Sequence, residues 1–212
     1  MNNYRERNWD EIKNKIKEAK EKCSHYFYLV NYGLIEIPTE IFNLESLREL
    51  HLTHNRIKNI SPKISKLTNL RCLDMESNQI ETIDESFAQL TNLDEIYLEE
   101  NGLVSIPSVI FKLTNLTCLD LSLNQIHQLP KDISQLKNLE LLNLSGNKLE
   151  ELPDELFELT NLKYLFLNDN QLKAISSSIC KLTNLSEVTL YGNPIKKVPD
   201  CISQITWLDK YL

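Results

Sequence analysis

Apolar residues recur along most of this chain at one fixed spacing. Seven units begin at Leu47, Leu70, Leu93, Leu116, Leu139, Leu162 and Leu185, each 23 residues after the last. Positions 1, 4, 6, 11, 14, 18 and 21 of the unit are apolar in all seven, and position 9 is Asn throughout, from Asn55 to Asn193. A fixed period of this size marks a solenoid, in which each unit buries its apolar face against the next. Positions 2–8 alternate with period 2 and predict a short strand. Identical units stack in the same direction, so the strands are expected to form a parallel sheet. Positions 4 and 6 then point inward, while positions 3 and 5 stand on the open face. At position 9 the chain turns inside the stack, where backbone groups would lose their water, and a carboxamide supplies two donors and an acceptor for them. Pro38, Pro107, Pro130, Pro153 and Pro199 share position 15, which predicts the first turn of a short helix or 3-10 segment on the far side.

The pattern L-x-x-L-x-L-x-x-N-x-L, followed by (L/I)-P-x-x-I-x-x-L-T-N, resembles the leucine-rich repeat family in its 23-residue class. The resemblance covers residues 47–207 and reaches back to about Ser24. It implies an α/β fold, a right-handed horseshoe with a concave parallel sheet and a convex side of short helical or 3-10 segments. It also implies that the position-9 amides stack and bond the turns of adjacent rungs. The function it implies is protein binding of adaptor, scaffold or effector type, as in members that regulate phosphatases and small GTPases and in bacterial leucine-rich effectors.

The ends depart from the repeat. Residues 1–23 are expected to hold a helix, over 4–23, with Trp9, Ile12, Ile16, Ala19 and Cys23 on one face and Asn8 with Glu11 as a capping box. Since the end rung of a solenoid exposes an apolar cross-section, this helix is read as an N-terminal cap. Residues 24–46 form a degenerate first unit, with Ser24 for the first Leu and Tyr32 for the Asn. Seven repeats fill 47–207, and 208–212 begin an incomplete final strand. Trp207 is assigned to position 23 and is expected to form a minimal lid with Tyr211. A monomer is favoured, with a dimer through the C-terminal end as the alternative.

Charge and composition narrow the function. The net charge is −7, which argues against a phosphate backbone as partner and so against nucleic acid. No run of 18 apolar residues offers a membrane span, and the charged N-terminus lacks the apolar core of a secretory signal. A cytoplasmic location is expected, or a host cytosol if the chain is exported without a cleavable signal. Of the five cysteines, Cys72 and Cys118 share a column two rungs apart, roughly 10 Å at ~4.8 Å per rung and too far for a disulfide. Cys180 and Cys201 fall on neighbouring rungs, where contact is open. All five are read as free thiols of a reducing compartment. The sequons at Asn59, Asn115, Asn143 and Asn184 are read as the repeat's own turns rather than as glycosylation sites.

Little else resembles chemistry. The four glycines are isolated, and no phosphate loop, nucleophile elbow, paired CxxC or HExxH occurs. His51 and His54 lie beside Tyr28, Glu49, Asp74 and Glu76, but zinc needs three or four converging ligands, so solvated histidines are the expectation. Cys72 and Cys118 lack an evident base. No cofactor, metal or catalytic residue is therefore expected.

The open sheet face is free of core duty and is the candidate site. Its middle is acidic, with Asp74, Glu95, Glu99, Glu100 and Asp120 around Tyr97 and with Glu49 and Glu76 beside them. Its C-terminal part is apolar and aromatic, with Leu123, Leu141, Tyr164, Phe166 and Tyr191. Exposed apolar clusters mark interaction sites, aromatic anchors dominate interface energies, and an acidic field steers a basic segment. The expected partner is a protein with a basic segment and an apolar anchor. The alternatives are recognition of a small molecule or glycan and service as an enzyme's regulatory subunit.

Overall fold

The computed structural model describes residues 2–203 together with the backbone of Thr206 and Trp207; for residues 2–8, too, only the backbone is described. Nine three-residue or shorter strands form one parallel sheet in chain order: β1 (Tyr26–Tyr28), β2 (Glu49–His51), β3 (Cys72–Asp74), β4 (Glu95–Tyr97), β5 (Cys118–Asp120), β6 (Leu141–Asn143), β7 (Tyr164–Phe166), β8 (Glu187–Thr189) and β9 (Thr206–Trp207). The register keeps equal positions of the repeat side by side, as in Glu49↔Cys72 and Cys72↔Glu95. Each of β1 to β8 has a buried central residue, such as Leu50, Leu119 or Leu165, and the position-6 residue after it, such as Leu52, Leu121 or Leu167, is equally enclosed. Positions 14 and 18 close the core from the far side, with Ile83 and Leu152 only partly covered. The fold is thus a leucine-rich repeat solenoid with its strands on the concave wall.

The far side is built of 3-10 segments, from Thr39–Asn43 to Asp200–Ile202. Position 15 lies one residue earlier than its prolines suggest: it caps each segment instead of opening it. Pro38, Pro107, Pro130, Pro153 and Pro199 fill that place with φ between −71° and −53°. Where Pro is missing, a side chain takes over: Ser61, Asp84 and Ser176 accept hydrogen bonds from the backbone N–H of Lys63, Ser86 and Ser178. Both solutions suit a segment too short to bond its own first amides.

The amide ladder runs through all seven repeats. Asn124 is typical: its Oδ1 accepts from Leu103 N at 3.1 Å, and its Nδ2 donates to Leu98 O at 2.9 Å and Leu121 O at 3.1 Å. A second ladder stands at position 23, which the sequence presents merely as a turn. Asn69, Asn92, Asn115, Asn138, Asn161 and Asn184 each donate Nδ2 to a carbonyl of the preceding rung at 2.8–2.9 Å.

α1 (Asn2–Glu21) differs from expectation at both ends. It runs through Asn8, which is therefore no N-cap, and Glu11 instead accepts a hydrogen bond from the Tyr32 hydroxyl. Ile12, Ile16 and Ala19 are buried in the common core, whereas Trp9 is partly exposed. Cys23 lies beyond the helix at φ +47° and is exposed. Ser24 N bonds Ala19 O at 2.9 Å and Cys23 N bonds Lys20 O at 3.2 Å, the paired closure of a Schellman motif with the left-handed residue at C′.

The C-terminal end departs from the period. Thr189 pairs with Trp207, where the repeat would pair it with Leu212, so Trp207 stands at position 5 and not at 23. The last 3-10 segment is three residues long where the others have five, and the chain returns to the sheet sooner. The residues from 208 on, and the side chains of Trp207 and Tyr211 expected as a lid, lie outside the described residues.

The free-thiol reading fails for one pair. Cys180 and Cys201 form a disulfide across a Cα–Cα distance of 5.8 Å, since neighbouring rungs bring positions 19 and 17 within bridging reach. Cys23, Cys72 and Cys118 are free. Among the described residues no helix is long and apolar enough to cross a membrane.

Candidate functional site on the open sheet face

Two backbone facts position the open face. The strands keep positions 3 and 5 outward, and position 8 turns the chain away in the left-handed region. That residue has positive φ in every rung: Asn31, His54, Ser77, Glu100, Leu123, Gly146, Asp169 and Gly192. Glycine takes it in just two rungs, so the sequence does not advertise it; elsewhere the fold imposes about 1–2 kcal/mol of strain.

The acidic middle is tied together internally. Asp74 accepts from Thr53 Oγ1 at 3.0 Å and Glu76 N at 3.1 Å, and its Oδ2 lies 3.1 Å from His51 Nδ1. Asp120 accepts from Ser122 N at 2.9 Å, Ser122 Oγ at 2.6 Å and Asn143 Nδ2 at 2.9 Å. Tyr97 donates its hydroxyl to Glu95 at 3.0 Å, and Ser77 donates to Glu100. These bonds hold the carboxylates in place on the face. Burial first, and then the carboxylates of Asp120, Glu76, Glu100 and Asp74, push the Glu99 carboxyl above its ordinary range.

The thiols within this zone are poor nucleophiles. Burial, aided by the carboxylates of Glu95, Asp74 and Glu49, pushes Cys72 up to about 12. Burial raises Cys118 too, against a hydrogen bond with Tyr97 that lowers it. His51 stacks on Tyr28 with centroids 4.5 Å apart, and its Nε2 is 3.4 Å from Glu49; His54 stands apart at left-handed position 8. No group of three potential ligands among the described residues could hold a metal ion. A cleft of about 760 Å³ lies over this end, lined by His25, Arg48, Arg71 and Tyr97 among others.

The aromatic zone is split by the structure. Leu141 faces Tyr164 across β6 and β7, and Tyr164 packs near Phe166 at 6.4 Å between centroids. These three form one patch, with Tyr164 39% exposed. Leu123, 52% exposed, stands on the far rim at position 8, separated from them by Asn143 and Ser145. Tyr191, also exposed, lies at position 7 of the next rung, diagonal to Phe166. Tyr26, Tyr28 and Val30 on and just after β1 are exposed as well; their alternation makes them visible in the sequence, but they belong to the degenerate unit.

Two polar residues on this face escape a reading by residue type. Asn168 Oδ1 and Thr189 Oγ1 are buried with no hydrogen-bond partner.

Comparison with known proteins agrees with the repeat. A family model described as leucine rich repeat matches residues 27–80 and 45–103, and one described as leucine-rich repeat region matches 107–210. Among solved structures, an internalin (inlF) from Listeria monocytogenes superposes with a TM-score of 0.77 at 29% identity, over 90% of this chain and 56% of that one. The LRR ectodomain of the plant membrane receptor kinase GASSHO1/SCHENGEN3 from Arabidopsis thaliana, in complex with CASPARIAN STRIP INTEGRITY FACTOR 2, gives 0.70 at 29% identity, over 82% of this chain and 22% of that one. The chain therefore spans little more than half of the first and under a quarter of the second. No curated protein matches it.

Proposed function

The chain belongs to the leucine-rich repeat family, and on that premise we propose that it is a non-catalytic protein-binding module that grips its partner on the open sheet face. The observation that carries this reading is the patch of Leu141, Tyr164 and Phe166, large apolar groups left on a wall where the fold needs none of them. Rigid aromatic side chains lose little entropy on binding and commonly anchor interfaces. The carboxylates of Glu76 and Glu99, on earlier rungs of the same wall, complete the reading: their field favours a partner with Lys or Arg on the segment that runs on from the rings. One structural neighbour is itself described in complex with CASPARIAN STRIP INTEGRITY FACTOR 2, which supports a binding role for this chain.

The Cys180–Cys201 disulfide supports maturation in an oxidising compartment, in place of the cytoplasmic location expected. The test of the binding reading is affinity capture followed by titration of the captured partner. Tyr164→Ala and Phe166→Ala should each weaken binding at least tenfold, the ~1.4 kcal/mol expected of an aromatic anchor. Glu76→Lys with Glu99→Lys should slow association, most at low salt. Binding within twofold of wild type for both aromatic variants would remove the assignment.

A further inference from the structure

The register of β7 and β8 sets four side chains in a square. Phe166 faces Thr189 directly. Two residues further along, Asn168 stands beside Tyr191, since Asp169 N bonds Tyr191 O at 2.8 Å. The two rings occupy one diagonal, and the two polar side chains occupy the other. Asn168 is 8% exposed and Thr189 7%, and both carry a buried oxygen without a hydrogen-bond partner. Leaving such an atom unpaired is costly, and native structures rarely tolerate it without a use. The corresponding pair on an earlier rung is satisfied: Thr53 Oγ1 donates to Asp74 Oδ2 at 3.0 Å. The repeat therefore permits closure at these positions, and this square leaves it open.

The chemistry of the gap narrows its occupant. A carboxamide oxygen requires a donor, while a hydroxyl both donates and accepts. One peptide group carries an N–H and a C=O and meets both demands. It does so in either orientation of the Asn168 amide, because turning that amide over exchanges the roles without removing the mismatch. An anion meets only the hydroxyl, and a lone cation, though both oxygens could face it, leaves the hydroxyl proton without an acceptor. The flanking rings supply an apolar wall for the side chain next to that peptide group, and rotation of an exposed ring such as Tyr191 opens the way within nanoseconds.

We propose that Phe166, Asn168, Thr189 and Tyr191 form a peptide-group subsite. Asn168 and Thr189 hydrogen-bond one main-chain amide of an extended partner segment, and the rings hold its adjoining apolar side chain. This rests on the open face being the binding wall, and it names the partner's binding element: an extended strand rather than a folded surface.

The test uses the full chain and a defined probe, the capped tripeptide acetyl-Ala-Leu-Ala-methylamide, titrated by NMR. Signals of the Asn168 side-chain amide and of the Thr189 and Tyr191 backbone should shift, saturating in the millimolar range. An analogue with esters in place of the two amides flanking leucine should bind at least fivefold more weakly, about the value of one hydrogen bond. Thr189→Val and Asn168→Leu should weaken the tripeptide as much, while leaving the melting temperature unchanged or raised, because each removes an unpaired buried atom. A lowered melting temperature in both variants would show that these groups hold the fold, and would overturn the proposal. If Phe166→Ala weakens the tripeptide while the ester analogue and Thr189→Val do not, the wall binds and the peptide-group subsite falls. If the tripeptide shifts no signal of this face, the subsite falls, while the binding wall stands or falls by the captured partner and its Tyr164 and Phe166 variants.

Discussion

Leu123 and Gly146 hold the same position of successive repeats, both in the left-handed region, at φ +53° and +65°. The leucine side chain lies over the glycine: a Cβ on Gly146 would come within 2.6 Å of Leu123 Cδ2. Gly146→Ala therefore meets two penalties of different kinds. The overlap is with the far end of a flexible side chain and is relieved by a rotamer change. The left-handed backbone is not relieved, and costs an L-residue about 1–2 kcal/mol. Urea denaturation of Gly146→Ala should show a loss of that size. Adding Leu123→Ala should recover under ~0.5 kcal/mol of it, because the conformational cost is indifferent to the neighbour.

The two asparagine ladders make unequal contributions. Asn124 is buried and satisfies three backbone groups of two rungs. Asn138 is exposed and donates a single bond to Thr114 O. Asn124→Leu leaves buried polar groups with neither protein nor water and should lose about 3 kcal/mol or more, from ~1–3 kcal/mol for each group stranded. Asn138→Ala releases a carbonyl to solvent and should lose ~1 kcal/mol or less. Chemical denaturation of the two variants decides the ranking, and equal losses would mean that exposure does not govern the ladder.

The period made the solenoid legible, because a strand, a turn and a return segment each leave a residue type at a fixed place. Asn55 to Asn193 announce the buried turn in that way. What the sequence hid is what depends on backbone conformation or on depth. Position 8 is left-handed in every rung, yet Glu100, Leu123 and Asp169 stand there as readily as Gly146; the stack enforces the conformation, so no composition rule reveals it. Asn168 looks like any open-face polar residue, and only coordinates show that its oxygen is enclosed. The residues proposed for the site are legible by type, but their grouping in space is not. Leu123 and Phe166 read as one patch in sequence and are separated in space, since position 8 lies beyond the polar positions that follow β6. The bridge between Cys180 and Cys201 is hidden for a related reason: positions 19 and 17 meet only because the far-side segments stack.

The disulfide predicts a thiol count and a stability change. Ellman titration of the unfolded, unreduced chain should give three thiols, for Cys23, Cys72 and Cys118, and reduction should give all five. In the native protein Cys23 should react alone within minutes. Cys72, at about 12, has a thiolate fraction near ~10⁻⁴ at pH 8, and the thiolate is the reactive form. Cys180→Ser with Cys201→Ser should lose about 3 kcal/mol, the entropy of a loop of roughly twenty residues. Hydrogen exchange should show that loss concentrated in the last repeat, since each rung contacts only its neighbours.

Glu99 links stability to pH through the same carboxylates that are proposed to steer the partner. Its folded carboxyl lies above its ordinary value, first by burial and then by Asp120, Glu76, Glu100 and Asp74. The charged form is therefore disfavoured by folding. The stability this residue contributes is fully present below its unfolded pKa and is lost as pH rises through the folded one. Glutamine resembles the protonated acid at every pH. Glu99→Gln should accordingly raise stability at pH 7, by under ~1 kcal/mol given the partial exposure of the group, and the gain should shrink toward zero as pH falls to about 4, below the ordinary glutamate value, where the folded and unfolded chains both mostly hold the proton. Paired urea denaturations at the two pH values measure this. A gain that persists undiminished at pH 4 would assign the effect to packing and not to charge, and the crowding of Asp74, Glu76 and Asp120 around Glu99 would then play no part in it.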